Sequence, residues 1–351
     1  MLKKLSISLV SLSLVLSILT NSYIFAEATN EQVPMESLGQ AIQEYNIENQ
    51  KTFENESEDL KERVLSHPED PILAEAAQYL DIEPEVKENT TLDYFSTEIV
   101  LFDSSGKGVS LESYVDQLDA KASTNKSIAP SSAEQAISPQ AQGGVVFTNE
   151  LTGNLNNRNI VHTVKYVSDI GSVPDKVSVD NYLFKSTSRN GTYTKASYKY
   201  NNAMKKGSTL VNSLRAETKY WKGNLIASIY DNGVKAGGIN RDTGIILYNN
   251  AALPYYKYVD TFSGKVNIEP ASTTWQKVSN PVTWDNDKRG AYISWYISTY
   301  GNPNITWGGY DIHHIKPREY GGSNANSNLM PVPRNLHNSL ISPWWASYNK
   351  G

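Results

Sequence analysis

The sequence predicts an α+β protein of several domains, with an acidic mixed α/β N-terminal region, a β-sandwich-like middle and a small strand–loop–strand–helix unit at the C-terminus. Near residue 143, helical spacing of apolar residues gives way to short tyrosine-rich and β-branched runs separated by turns. Three of the five histidines fall between residues 313 and 337. The chain has 351 residues, 20% of them charged, and no cysteine. Collagen-like, disulfide-stapled and multi-span membrane proteins are therefore excluded.

Residues 1–28 are predicted to be a secretion signal. Lys3 and Lys4 precede an apolar run over 5–19, and Ala26-Glu27-Ala28 supplies the small residues that signal peptidase requires. The apolar run is 15 residues long, whereas a membrane-spanning helix needs about 20. We therefore expect a secreted, extracellular protein with no transmembrane segment after cleavage of the signal. An uncleaved anchor helix is the alternative.

The charge of the chain is strongly polarised. Residues 29–142 hold 23 acidic and 7 basic residues, a net charge of −16, whereas residues 143–351 hold 13 acidic and 23 basic residues, a net charge of +10. The overall net charge of −5 is the remainder of these opposed values. A basic C-terminal part favours a polyanionic partner, although solubility alone also explains such a surface.

The acidic N-terminal region, residues 29–119, is predicted to contain helices and one strand. Apolar side chains share one helical face in its first part: Met35, Leu38, Ile42 and Tyr45. Asp70-Pro71 has the pattern of an N-cap followed by proline at the first helical position, and residues 92–102 read as a strand. One interpretation of the region is a pro-segment that shields the basic part, so that its removal raises activity.

Residues 120–142 are predicted to be a linker, because the stretch is rich in Ala, Ser, Gln and Pro and carries few large apolar residues. The β-rich domain that follows, residues 143–270, is expected to be an antiparallel sandwich. Its predicted strands cover 160–167, 179–184, 193–200, 224–230 and 244–248. Asn190-Gly191 and Asn232-Gly233 separate two pairs of these runs, as expected for hairpins.

The last region, residues 271–351, is predicted to hold a compact histidine-bearing unit. Residues 310–315 read as a strand, Gly321-Gly322 as a turn and Leu329-Met330 as a short return strand. A helix is expected to open at Pro333 and to end at Pro343.

Successive residues of a strand point to opposite faces, so His313 and His314 are expected to do different work. One imidazole can bind a metal ion together with His337, while the other, if neutral and free of metal, is suited to accept a proton from water. The residues themselves thus predict a metal site with a base beside it.

This segment resembles the HNH motif of the ββα-metal, or His-Me finger, endonucleases. The similarity covers roughly residues 306–348 and consists of His313-His314-Ile315 with Pro317, then Gly321-Gly322, then Asn328-Leu329, then His337. Asn328 lies 14 residues after His314, and His337 lies 23 residues after it, as in that family. Some members carry a further histidine four residues after the last one, where this chain has Ile341.

The resemblance implies a role for each matching residue. His314 would be the general base that activates water, and Asn328 would brace the loop and orient that base. His313 and His337 would bind one divalent ion, with Mg²⁺ or Mn²⁺ favoured because two imidazoles leave sites for water and phosphate, and with Zn²⁺ or Ni²⁺ as alternatives. Basic side chains around the motif would contact substrate phosphates: Lys316, Arg318 and Arg334.

The expected function is a secreted HNH endonuclease that cuts nucleic acid, DNA in preference to RNA, either as an antibacterial toxin with an immunity protein as partner or as a nutritional nuclease. Two alternatives stay open. The histidines could form a closed structural zinc site, or the chain could be a non-catalytic surface protein whose β-rich domain binds glycans while the histidine unit is structural.

Overall fold

A computed structural model describes residues 36–103, 108–125 and 141–348. The predicted secretion signal and most of the predicted linker lie outside the described residues. Within the described part of the chain, none of the helices has both the length and the apolar character needed to cross a membrane. The protein is a mixed α/β structure with few helices and a β-sheet-rich middle.

Three helices precede or interrupt the first strands: α1 (Glu36–Leu65), α2 (Pro71–Ala76) and α3 (Leu111–Asn125). Asp70 caps α2 as its sequence pattern predicts. Its carboxylate accepts hydrogen bonds from the amides of Ile72 and Leu73, at 2.9 and 3.1 Å, which satisfies donors that the first turn of a helix leaves free.

The strands are antiparallel to their sheet neighbours throughout the described residues. In chain order they are β1 (Thr90–Asp103), β2 (Gly108–Ser110), β3 (Ala141–Asn154), β4 (Asn159–Gly171), β5 (Lys176–Ser186), β6 (Thr194–Asn201), β7 (Thr209–Arg215), β8 (Lys219–Asp231), β9 (Val234–Asp242), β10 (Ile246–Tyr248), β11 (Val259–Asp260), β12 (Lys265–Val266), β13 (Tyr310–His314) and β14 (Leu329–Pro333). The five strands predicted between residues 160 and 248 are all present.

Two sheets make up the middle of the molecule. The first has the order β2-β1-β3-β4-β7, and the second has the order β10-β8-β5-β6 with β9 also paired to β8. One apolar core joins them, with buried side chains from both sheets such as Phe147, Val164, Val179 and Leu225. A second core lies between the first sheet and the helices, where Leu73 and Val115 pack against Leu101 and Val146.

The acidic region is part of the sheet and does not form a separate leader. β1 pairs with β3 from Thr90 opposite Asn154 to Asp103 opposite Ala141, and β2 covers its other edge. Removing residues 29–142 would strip β1, β2 and all three helices from two cores, so the interpretation as a detachable pro-segment does not fit this arrangement. The described residues, 36–103, 108–125 and 141–348, belong to one compact unit.

The ends of the predicted linker are also structured. Residues 120–125 complete α3, and β3 begins at Ala141, two residues before the predicted boundary. Gly144 lies where the chains approach closely, because a Cβ there would come within 2.7 Å of Leu101 Cδ2 and 2.8 Å of the Val100 carbonyl oxygen. Gly143 and Gly144 therefore allow close packing within β3. From the sequence, the same pair was expected to mark the start of the β-rich domain.

The C-terminal part contains α4 (Asn286–Tyr300), the hairpin β13–β14 and a final helical stretch. That stretch consists of α5 (Arg334–Leu336), a π-helical turn (His337–Ile341) and α6 (Ser342–Ala346) without a break. The prediction that Pro343 ends the helix was wrong. Pro343 falls in the first turn of α6, directly after the π-helical turn, where a missing amide donor is tolerated.

The final helical stretch is packed into the rest of the fold. Trp344 and Tyr348 are fully buried in a cluster that includes Ile42 of α1, Tyr220 of β8 and Leu247 of β10. The final helical stretch, which begins just before His337, is therefore fixed to the second sheet and to the first helix.

Candidate active site

The three clustered histidines lie around one cleft with a volume of about 800 Å³. His313 and His314 occupy the last two positions of β13, opposite Met330 and Leu329 of β14. His337 is the first residue of the π-helical turn that follows. All three line the cleft, as do Trp284 and Arg318. The sequence prediction that a hairpin and a helix bring these residues together agrees with this placement.

His313 and His337 are arranged as a pair. Their ring centroids are 5.3 Å apart, with an angle of 65° between the planes. Two imidazoles that bind one ion through nitrogen at about 2.1 Å have ring centroids about 5 Å apart. The Nε2 atom of His313 is buried and has no hydrogen-bond partner, a costly state for a polar atom that a bound cation would relieve.

Asp311, on the same strand, holds the second imidazole of the pair. Its Oδ2 lies 3.4 Å from Nδ1 of His337, and its Oδ1 accepts a hydrogen bond of 3.2 Å from Arg334 Nε. Burial raises the pKa of the Asp311 carboxyl, but the contacts with His337 and Arg334 outweigh it and the net pKa is lowered. Because Nδ1 of His337 faces this carboxylate, its Nε2 is the atom left to bind a ligand.

Burial also sets the protonation state of His313. The side chain is 6% exposed, and loss of hydration, followed by the nearby His337 and His314, lowers its pKa to about 3. His313 is therefore a neutral imidazole at pH 7, the form that binds metal ions.

The ligand set in the described residues is incomplete for a closed site, since no group of three or more His, Asp or Glu side chains is placed to hold an ion there. Asp311 is turned toward His337 and Arg334. Two imidazoles leave the other positions of an ion to water or phosphate, as in an open, hydrated site, whereas a structural zinc site uses four protein ligands.

His314 has a different environment, on the opposite side of the strand. Its Nε2 lies 2.9 Å from Oδ1 of Asn324, and the amide nitrogen of Asn324 donates to the carbonyl oxygen of Thr283 at 2.9 Å. Because that carbonyl can only accept, the orientation of the Asn324 amide is fixed and its oxygen faces His314. Nε2 must then carry the proton, and Nδ1 has the free lone pair.

The surroundings of His314 keep it neutral. Burial lowers its pKa, the hydrogen bond that it donates to Asn324 raises it, and the charge of Arg318 lowers it further, so that the net pKa is below the usual value. The ring of Trp284 stands nearly perpendicular to the imidazole, with centroids 4.8 Å apart. His314 thus combines a free nitrogen, a fixed tautomer and an aromatic wall beside the cleft.

Asn328 braces the loop between the two strands. Its Oδ1 accepts from the Lys316 amide at 2.9 Å, and its Nδ2 donates to the carbonyl oxygens of Lys316 and Ser323, at 3.1 and 2.8 Å. The hydrogen bond that orients His314 is made with Asn324, a residue that was not among the predicted site residues. Asn324 lies in a polar stretch of Ser, Asn and Ala in which spacing alone does not distinguish one amide from another.

The three cations predicted to contact phosphate lie in different places. Arg318 lines the cleft and donates to the carbonyl oxygen of Val282 at 3.1 Å, and Arg334 is paired with Asp311. Lys316 is directed to the ring of Trp275, with Nζ 5.0 Å from its centroid. The structure therefore brings Arg318 to the cleft wall and directs Lys316 elsewhere.

No family model matches this chain, and a search of curated proteins also found no match. The site is thus defined by its own residues: two imidazoles arranged as a pair, and a third, neutral imidazole with one fixed tautomer.

Proposed function

We propose that this protein is a secreted, metal-dependent endonuclease of the HNH, or ββα-metal, class that hydrolyses phosphodiester bonds in nucleic acid, DNA in preference to RNA. The observation that carries the proposal is the unpartnered, buried Nε2 of His313 beside His337, with His314 neutral and anchored on the other side of the same strand. A bound cation would give that nitrogen a partner, which a purely structural role does not supply.

The proposed chemistry begins at Nδ1 of His314. This atom accepts a proton from a water molecule as the water oxygen attacks phosphorus in line with the leaving 3′ oxygen. The bond from phosphorus to the 3′ oxygen breaks, and the departing oxygen is protonated by solvent. Asn324 holds the imidazole by its other nitrogen throughout, so that the accepting nitrogen faces the cleft.

His313 and His337 are the residues that would hold the divalent ion, with Mg²⁺ or Mn²⁺ favoured. When bound, such an ion stabilises negative charge that develops on the phosphate and leaving oxygens. Asp311 keeps the Nδ1 side of His337 occupied, which fixes the ring for binding through Nε2. Arg318, on the cleft wall, supplies a cation for a neighbouring phosphate of the strand.

Plasmid cleavage by the purified protein tests the proposal. We expect nicking or linearisation with Mg²⁺ or Mn²⁺ and none with EDTA. His314→Ala should lower the rate by roughly 100-fold or more, the usual scale for loss of a general base. His67→Gln is the matched control, since His67 lies outside the cleft beside Asp119. Cleavage that persists unchanged in His314→Ala would contradict the assignment, and no cleavage with any divalent ion would contradict the enzyme class.

A second candidate function rests on the outer face of the second sheet. A row of aromatic rings crosses β5 and β6, with centroids 5.7 Å apart for Phe184–Tyr182, 4.7 Å for Tyr182–Tyr198 and 6.5 Å for Tyr198–Tyr200. Tyr198 and Tyr200 are 42% and 50% exposed. Aromatic side chains with polar tips are suited to neutral ligands such as glycans, which favours a surface-binding module.

Sedimentation with insoluble chitin, cellulose or peptidoglycan tests this second function. We expect the protein to bind one of them, and binding should be lost in the double variant Tyr198→Ala/Tyr200→Ala but kept in Val211→Ala, which changes an exposed residue of the other sheet. Absence of binding to all three would count against it.

A further inference from the structure

Lys265 of β12 reaches into the histidine hairpin from outside the stretch 271–351. Its Nζ donates to the carbonyl oxygen of Leu329 at 2.6 Å and also to that of Asn326. The same ammonium lies over two rings of α4, 5.5 Å from the centroid of Tyr292 and 5.1 Å from that of Trp295. Two carbonyl oxygens and two aromatic faces therefore replace much of the water that this partly buried cation gives up.

The two carbonyls lie at the ends of one short turn. Residues Asn326–Asn328 form a 3-10 turn, and Leu329 begins β14 directly after it. Tyr292 donates from its hydroxyl to the same Leu329 carbonyl oxygen, at 3.0 Å. The turn is thus held from outside by a cation and a hydroxyl, in addition to the Asn328 amide that donates to Ala325.

That turn is connected to the proposed base by two routes. Leu329 is the cross-strand partner of His314, so displacement of its carbonyl moves the strand pair at the point where His314 lies. Asn328, inside the turn, donates to the carbonyl oxygen of Ser323, the residue before Asn324, which holds His314. The first route is strand pairing, and the second consists of side-chain hydrogen bonds.

The hairpin that carries Lys265 is itself fixed. Asp260 of β11 accepts a hydrogen bond of 2.6 Å from the hydroxyl of Tyr296 on α4 and another from Ser263. Lys265 pairs with Asp260 across the hairpin. The lysine is therefore presented from a rigid support, as a positioning group requires.

We propose that Lys265 is a positioning residue for the active site, which sets the place of His314 through the turn Asn326–Asn328. The inference rests on the proposed nuclease function for its kinetic consequence, but its structural part can be measured without activity. On this proposal the hairpin β11–β12 is a component of the active site, although it lies outside the motif in residues 306–348.

Substitution of Lys265 by methionine keeps the side-chain length and removes the ammonium. In Lys265→Met we expect kcat for plasmid or oligonucleotide cleavage to fall about 10- to 100-fold with KM within about twofold, because a displaced base affects the reacting geometry and leaves substrate contacts in place. Lys265→Arg, which keeps the donors, should recover part of the rate. Lys176→Met is the matched control, since Lys176 lies over the ring of Tyr230 away from the cleft.

Amide hydrogen exchange gives a readout that does not depend on cleavage. The Lys316 amide is held by the side chain of Asn328, so its exchange should be about 10-fold faster in Lys265→Met than in the wild type and unchanged in Lys176→Met. If the wild type does not cleave but the exchange rate changes as expected, the nuclease function is contradicted, while the role of Lys265 in holding the turn Asn326–Asn328 is supported. Equal kcat and equal exchange in wild type and Lys265→Met would overturn the inference.

Discussion

At the scale of single residues, two adjacent histidines are proposed to have different tasks, because a strand alternates its side chains. Nε2 of His313 has no hydrogen-bond partner and its ring lies beside that of His337, whereas His314 has one nitrogen held by Asn324. The sequence could predict this division from the strand alone. It could not identify Asn324, because the hydrogen bond depends on the path of a loop and on the carbonyl of Thr283, 41 residues away.

The two asparagines are expected to differ in variants. Asn324→Ala removes the partner of His314 and one hydrogen bond to the Thr283 carbonyl oxygen, so we predict a fall in kcat of roughly 10-fold, close to the value of one hydrogen bond to a catalytic group, with a smaller loss of stability than in Asn328→Ala. Asn328→Ala removes three loop hydrogen bonds and should lower both activity and thermal stability. Melting temperature and kcat measured for both variants check this. Equal losses of stability in the two would contradict the assignment.

Burial of neutral His313 makes stability depend on pH. Its pKa is about 3 in the folded protein and near 6.5 in the unfolded chain, so its contribution is complete above pH 6.5 and is lost as the pH falls toward 3. Between pH 6.5 and 4.5 this group should cost about 2 to 3 kcal/mol of unfolding free energy.

Denaturant unfolding in EDTA, compared between wild type and His313→Gln, measures that contribution. The wild type should lose more stability than the variant as the pH falls from 7 to 4.5, because glutamine does not titrate. Parallel curves would show that His313 is not buried in its neutral form.

At the scale of elements, local patterns predicted most strands and turns. The Asn232-Gly233 turn adopts positive φ angles of 50° and 75°, as its hairpin requires, and Asp70 caps its helix. The helix that continues past Pro343 was not predictable, since a π-helical turn depends on packing against the rest of the fold. β3 was not predicted as a strand: its first two residues fall in the predicted linker, and its pairing with β1 is long-range.

The loop between β13 and β14 gives an element-scale prediction with a built-in control. A Cβ at Gly322 would lie 1.7 Å from the Lys316 carbonyl oxygen, whereas one at Gly308 would meet nothing within 4 Å. Gly322→Ala should therefore destabilise the protein by about 1 to 3 kcal/mol and reduce cleavage, while Gly308→Ala stays within about 0.5 kcal/mol of the wild type. Thermal unfolding of both variants checks the expectation. If Gly322→Ala leaves the stability unchanged, the Lys316 carbonyl oxygen does not lie this close to Gly322.

At the scale of the whole molecule, the opposed charges of −16 and +10 lie within one sequence whose described parts share a sheet. Composition suggested a boundary near residue 142, whereas β1 on one side of it pairs with β3 on the other. The charge of a segment follows from the sequence alone. The pairing of β1 with β3 depends on apolar residues of both strands, such as Val100 and Val145. Composition does not show that these residues meet.

Deletion of residues 29–142 is consequently expected to unfold the protein, with no gain in activity. The deletion removes β1 and the three helices, so we predict loss of cooperative thermal unfolding and of soluble yield. Circular dichroism and gel filtration of the truncated protein check this. A truncated form that stays folded and cleaves nucleic acid faster than the full chain would restore the pro-segment interpretation.

Chemical rescue distinguishes whether His314 acts as the general base. In His314→Gly, which removes the imidazole and leaves space for a small molecule, added imidazole should restore cleavage of a plasmid in the presence of Mg²⁺ or Mn²⁺, increasingly as the pH rises and free imidazole becomes neutral. His313→Gly should show no such pH-dependent rescue. Full activity of His314→Gly without imidazole, or equal rescue of both variants, would contradict the assignment of His314 as the base.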